Sequence, residues 1–81
     1  MTDVVLYGKA GCHLCDDARA VVRDVRARRE FELTEVDVSL DPVLNARYGE
    51  RIPVVAVDGV EAFELGLSAP ELERVLDTVS P

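Results

Sequence analysis

The chain has 81 residues, 48% of them apolar, which suits one modest hydrophobic core and a single domain over 1–81. A formal charge of −7 leaves no basic face for a phosphate backbone, so nucleic acid is not an expected partner. No apolar run approaches the roughly 20 residues of a membrane span, and Met1-Thr2-Asp3 lacks the basic start and apolar region of a secretory signal, so a cytoplasmic protein with no membrane partner is expected.

In chain order, residues 4–7 (Val4-Val5-Leu6-Tyr7) form a short apolar run closed by Gly8, the pattern of a strand covered on both faces in a partly parallel sheet. Next come Cys12, His13 and Cys15, which include both cysteines and the only histidine. From 13 to 29, Leu14, Ala18, Val21, Val22 and Val25 follow helical spacing, with arginines on the other faces. Asp16 and Asp17 in the first turn and Arg26, Arg28 and Arg29 in the last are sorted as the helix macrodipole prefers.

Residues 31–38 alternate apolar and polar at first and then change phase between Leu33 and Val36, which predicts an edge strand with a twist or bulge. Asp41 and Pro42 read as an N-cap and first helical position, so 43–48 form a short helix ended by Gly49. The runs 54–57 and 60–63 flank Asp58-Gly59, a dipeptide suited to a type I′ hairpin turn. Ser68 and Glu71, three apart, fit a capping box, after which Leu72, Val75, Leu76 and Val79 repeat at helical spacing. The order is strand, helix, strand, helix, strand, strand, helix; the first strand, helix and second strand make a right-handed parallel crossover, and the hairpin extends the sheet antiparallel.

Cys-x-x-Cys alone serves redox exchange or a soft metal. A reducing compartment does not keep a structural disulfide, so the pair is expected to cycle or to ligate. Structural zinc takes four ligands, whereas Cys12, His13 and Cys15 are the only soft ones and the first two are adjacent. A zinc site within one chain is therefore set aside, while an iron–sulfur cluster shared between two chains stays open.

With Tyr7, Lys9, Cys12 and Cys15 following the first strand and Ile52-Pro53 preceding the third, the chain resembles the glutaredoxin branch of the thioredoxin superfamily over nearly its whole length. It looks most like the short bacterial glutaredoxin-like proteins. The resemblance implies an α/β thioredoxin fold, β-α-β-α-β-β-α, with a four-stranded mixed sheet in the order 2-1-3-4 flanked by three helices. It also implies a cis peptide between Ile52 and Pro53, and a Pro53 that sits against the cysteines and leaves the Ile52 main chain free to pair with an extended substrate.

The expected activity is thiol–disulfide exchange on disulfides of proteins or small molecules. Cys12, at a helix N-terminus, is the attacking residue; Cys15, one turn further in and more buried, resolves the mixed disulfide. Lys9, the single lysine, adds positive charge near Cys12, and the resemblance puts it where the glutathione carboxylate is contacted; the alternative is a solvated lysine. His13 and Leu14 replace the proline and aromatic residue common between the cysteines of glutaredoxins. Protonated His13 would favour a thiolate, and Asp16 and Asp17 would oppose it; the bland reading of His13 is an exposed turn residue.

Tyr7 either flanks the sulfur pair or belongs to the core. Arg51 stands where glutaredoxins commonly carry threonine and is expected either to bind a carboxylate or to pair with Glu50 or Asp37. Phe63-Glu64-Leu65-Gly66 lacks the Gly-Gly pair and aspartate that hold the γ-glutamyl end of glutathione. No tightly bound cofactor is expected; the reductant is glutathione, another small thiol or a flavoprotein reductase, and the chain is read as a monomer. Two readings from other classes stand beside this one: a cluster carrier bridging two chains, and a thioredoxin-fold adaptor that binds partners without turnover.

Overall fold

The computed structural model describes residues 2–79. Among these residues the order is β1 (Asp3–Gly8), α1 (His13–Arg26), β2 (Glu32–Asp37), a 3-10 turn (Val38–Leu40), α2 (Pro42–Tyr48), β3 (Val54–Val57), β4 (Val60–Glu64) and α3 (Ala69–Val79). The strands form one sheet in the order β2-β1-β3-β4. β1 runs parallel to β2, and β1/β3 and β3/β4 are antiparallel. None of the helices among the described residues is long and apolar enough to cross a membrane.

Local chemistry accounts for most of the boundaries. The Asp41 carboxylate accepts from the Val43 and Leu44 amides at 2.9 and 3.3 Å and starts α2, with Pro42 at a position that needs no N–H. Asp58 and Gly59 take positive φ of 50° and 83°, as a type I′ turn demands, and Asp58 is tied to Asp3 by two hydrogen bonds. At α3 the Glu71 carboxylate accepts from the Ser68 amide and hydroxyl while the Glu71 amide donates to Ser68 Oγ, a closed capping box.

Two features differ from those expected. α1 stops at Arg26 rather than 29, because the Arg28 and Arg29 amides both donate to the Val25 carbonyl and the chain turns there. The turn sends Arg29 to α3, where it meets Asp77 at 2.7 Å and the Glu73 carbonyl at 3.3 Å, so the basic residues of the last turn are Arg23 and Arg26. β2 has no bulge: its register runs unbroken from Asp3↔Glu32 to Gly8↔Asp37.

The phase change has another origin. Glu35, two residues after Leu33 and so on the same face, is bonded at 2.7 Å by both Arg19 and Arg23 of α1. An ion pair thus takes the place of an apolar contact. The irregularity in the sheet falls between Val55 and Ala56, where β4 skips Ala62.

The main core lies between the sheet and α1 with α3: Val4 and Leu6 of β1 and Val55 and Val57 of β3 meet Val22, Val25, Leu72 and Leu76. Val5 and Tyr7 on the other side of β1 are half-buried, so that strand is fully covered on one face only. A second, smaller cluster joins Cys15, Val38, Tyr48, Ile52 and Val54, with Tyr7, Cys12 and Leu44 packed against it. The candidate site is built on this second cluster.

Candidate active site

Cys12 is the N-cap of α1, with extended backbone at φ −104° and ψ 114°. Its sulfur accepts the Cys15 amide at 3.2 Å, the position a serine or aspartate oxygen takes in an ordinary cap. The sulfur therefore lies at the N-terminal end of the helix, among its unpaired amides. Cys12 is half-buried, Cys15 has no exposed surface, and the two thiols are not joined.

Burial pushes the Cys15 thiol from an ordinary 9.0 up to about 11, and its hydrogen bond with Cys12 adds to this. The Lys9 main-chain N–H and the charge of Arg19 pull the other way and lose. Cys15 is thus a protonated, inaccessible thiol, and Cys12 carries the reachable sulfur. Among the described residues no three His, Cys, Asp or Glu side chains converge as metal ligands.

Ile52 is 8% exposed, Pro53 is fully buried, and the bond between them is cis. Ile52 shares the small cluster with Cys15 and Cys12, so the distant step does come to the cysteines. Among the described residues no hydrogen bond uses the Ile52 N–H or C=O. Lys9, His13 and Leu14 are exposed beside the pair, Leu14 at 50%. His13 is the first helical residue of α1, and the neighbouring Asp16 is held by Arg19 at 2.8 Å.

Lys9 reaches Asp37 electrostatically. Ser39's hydroxyl and amide hold the Asp37 carboxyl below its ordinary range, and the lysine adds to that. Lys9 also lies on the rim of a cleft of about 450 Å³ lined by Gly8, Ala10, Gly11, Arg19 and Glu35, which contains neither cysteine.

Arg51 pairs with neither Glu50 nor Asp37. Its guanidinium bridges Glu61 at 3.0 Å and Glu64 at 3.3 Å on β4 and donates to the Arg47 carbonyl. Asp37 instead caps the turn at Ser39, accepting from its amide and hydroxyl. The Leu65-Gly66 loop also holds a surprise. Leu65 has φ of +65° and Gly66 +140°, so the backbone is that of two glycines with leucine in the first place. A left-handed non-glycine residue costs about 1–2 kcal/mol, and the Leu65 amide donates to the Arg51 carbonyl at 3.1 Å to hold the bend.

Tyr7 does both things offered for it: its ring packs against the cysteine cluster and stacks on Tyr48, with centroids 4.3 Å apart at 22°. Burial, then Tyr48, raises its hydroxyl pKa. Sequence reasoning missed Tyr48 as part of the site. Arg47 and Arg51 lie over its ring at 5.3 and 5.4 Å, forming cation–π contacts. The signal was its spacing: Tyr48 stands four residues after Leu44, on the same face of α2.

Residues 3–77 match the family model described as glutaredoxin-like domain (DUF836). Among solved structures the chain is similar to XcR50 from X. campestris, a structural genomics target, at 30% identity and a TM-score of 0.80, covering 95% of this chain and 99% of that one. It is similar to reduced desulfothioredoxin from Desulfovibrio vulgaris Hildenborough at 25% identity and a TM-score of 0.75, over 96% and 81% of the two chains. An uncharacterized protein of Mycobacterium tuberculosis is 32% identical in an alignment 63 residues long that covers 72% of this chain and only 65% of that relative's length.

Proposed function

Because the chain belongs to the glutaredoxin-like domain family (DUF836) and has a thioredoxin-type sheet in the order 2-1-3-4, we propose that it is a cytoplasmic thiol–disulfide oxidoreductase acting as a monomer. One observation carries the reading: a half-buried Cys12 sulfur caps α1 and accepts the amide of a buried, protonated Cys15. Similarity to a protein named desulfothioredoxin supports it.

The reaction runs in two exchanges. Cys12 thiolate attacks a substrate disulfide R–S–S–R′, forming Cys12–S–S–R and releasing R′S⁻. Cys15 then gives up its proton and attacks Cys12 Sγ, so that the Cys12–Cys15 disulfide forms and RS⁻ leaves with the electron pair. Two electrons pass from the dithiol to the substrate, and the two released thiolates take up protons. Substrates are disulfides of proteins or small molecules, and an extended segment pairs with the free main chain of Ile52 beside Pro53. His13, Leu14 and Lys9 form the exposed rim such a substrate crosses.

A thiol donor must reduce the oxidised pair again. In this reading it is glutathione, another small thiol or a flavoprotein reductase. Of the two cations offered for a carboxylate, Arg51 is already engaged by Glu61 and Glu64, and Lys9 is exposed. A glutathione carboxylate at Arg51 would have to displace one of these partners, so in this reading Lys9 is where it is received. The decisive test is reduction of a peptide disulfide: Cys12→Ser should abolish it, and Cys15→Ser should stop at a stable mixed disulfide. Full activity in Cys12→Ser would refute the proposal.

A further inference from the structure

Gly8 closes β1 opposite Asp37, one residue before the loop that leads to the cysteines. Three other glycines, Gly11, Gly59 and Gly66, have positive φ and open space where a Cβ would stand. Their backbone conformation asks for glycine. Gly8 is the reverse case: its backbone is ordinary strand, but a Cβ there would lie 3.1 Å from Cys15 Sγ and 3.2 Å from Cys15 Cβ. A glycine inside a strand often marks the close approach of another group, and here that group is the buried thiol.

From this contact we propose that Gly8 is the positioning residue for Cys15, setting how the resolving sulfur reaches Cys12; the inference rests on the dithiol reading above. Rotating the Cys15 side chain can move Sγ away from an added methyl. It cannot move Cβ, which is fixed to the first turn of α1. A methyl at Gly8 is therefore accommodated only by shifting that turn off β1 by a few tenths of an ångström.

The same turn carries the Cys12 cap and its 3.2 Å bond to the Cys15 amide. Attack of Cys12 on an external disulfide is little affected, because the substrate can follow the sulfur. Attack of Cys15 on Cys12 is an internal displacement with no such freedom, and a misplacement of about 1 Å can cost on the order of a hundredfold in rate. A shift of a few tenths should therefore slow the second step by about tenfold and leave the first nearly unchanged.

The two steps separate cleanly with 5,5′-dithiobis(2-nitrobenzoate). The first equivalent of coloured nitrothiobenzoate leaves when Cys12 attacks, at a rate proportional to reagent. The second leaves when Cys15 breaks the Cys12 mixed disulfide, at a rate independent of reagent. Wild type should release two equivalents and Cys15→Ser one; a wild type that releases one overturns the dithiol reading itself. In folded Gly8→Ala the first phase should stay within about twofold and the second fall by about tenfold.

An unchanged second phase, or an equal fall in both, overturns the role of Gly8 while leaving the dithiol reading intact. Should Gly8→Ala fail to fold, Gly8→Ala/Cys15→Gly, set beside Cys15→Gly alone, decides, because glycine removes both the Sγ and the Cβ that an added methyl would meet. Folding of the double variant as good as that of Cys15→Gly supports the contact, and a double variant that fails to fold where Cys15→Gly folds overturns it.

Discussion

Blocking Cys12 should leave this protein almost inert to alkylation. Replacing Cys12 with serine keeps the start of α1 intact, since a serine oxygen can accept the Cys15 amide as the sulfur does. Cys15 is then the sole thiol. Its pKa is pushed from 9.0 to about 11, with burial the leading cause, and burial does not depend on Cys12.

At pH 8 a thiol of pKa 11 is about one part in a thousand thiolate, against about one in ten for an ordinary thiol, so about a hundredfold slowing is the upper limit from ionisation once the contribution of Cys12 is removed. The absence of exposed surface on Cys15 slows it further. Iodoacetamide labelling followed by mass spectrometry reads the rate directly. Wild type should take one adduct, on Cys12. In Cys12→Ser the rate should rise about tenfold per pH unit towards pH 11.

The same shift has a stability consequence. The fold holds this proton more tightly than the unfolded chain, so the contribution is fully present below pH 9 and lost as pH rises through about 11. Labelling of Cys12→Ser within about tenfold of a free cysteine at pH 8, or a rate that levels off near pH 9, would refute the assignment.

Two further variants test the scaffold. Asp41→Ala removes the acceptor for two α2 amides and should lower stability by about 1 kcal/mol in urea titration, a fall of roughly 4–8 °C in Tm; an unchanged midpoint would show that Pro42 alone starts the helix. Glu35→Gln should cost less than about 1–2 kcal/mol at pH 7, because its two ion pairs are partly exposed. Partial burial pushes the Glu35 carboxyl up, but bonds from Arg23 and Arg19 outweigh it and hold the pKa below normal. Its contribution is present above the usual carboxylate range and lost as pH falls through it, so the wild-type and Glu35→Gln stability curves should converge in acid; a constant gap would mean that charge is not what Glu35 provides.

What could be read from the sequence was written in short-range codes. The caps at Asp41 and Ser68, the Asp58-Gly59 turn and the position of Cys12 at the start of α1 each depend on a few neighbouring residues, and each stands where expected. The strand order and the approach of Ile52-Pro53 to the cysteines came from the resemblance, since no local pattern spans forty residues. What went unread depends on distant partners: Arg29, past the end of α1, pairs with α3, Glu35 mimics a bulge by pairing with α1, and Arg51 ignores its neighbours for β4. Leu65 was opaque for another reason. Leucine carries no preference for positive φ, so only the surrounding loop dictates it.

The site also differs in kind from one built on charged side chains. The core holds no buried polar or charged residue among those described, and Cys15 sits in it as a small apolar group. Besides each other, the sulfurs meet main-chain amides: Cys15's on Cys12 and Lys9's on Cys15. Lys9 and His13 are exposed, and salt screens charge at such positions over about 8–10 Å. A charge effect of Lys9→Ala on the proposed exchange should therefore vanish at high salt. Changes at Gly8, Tyr48 or Ile52 act through packing that salt does not reach, so the ionic-strength dependence of a variant's rate separates the two kinds of influence on Cys12.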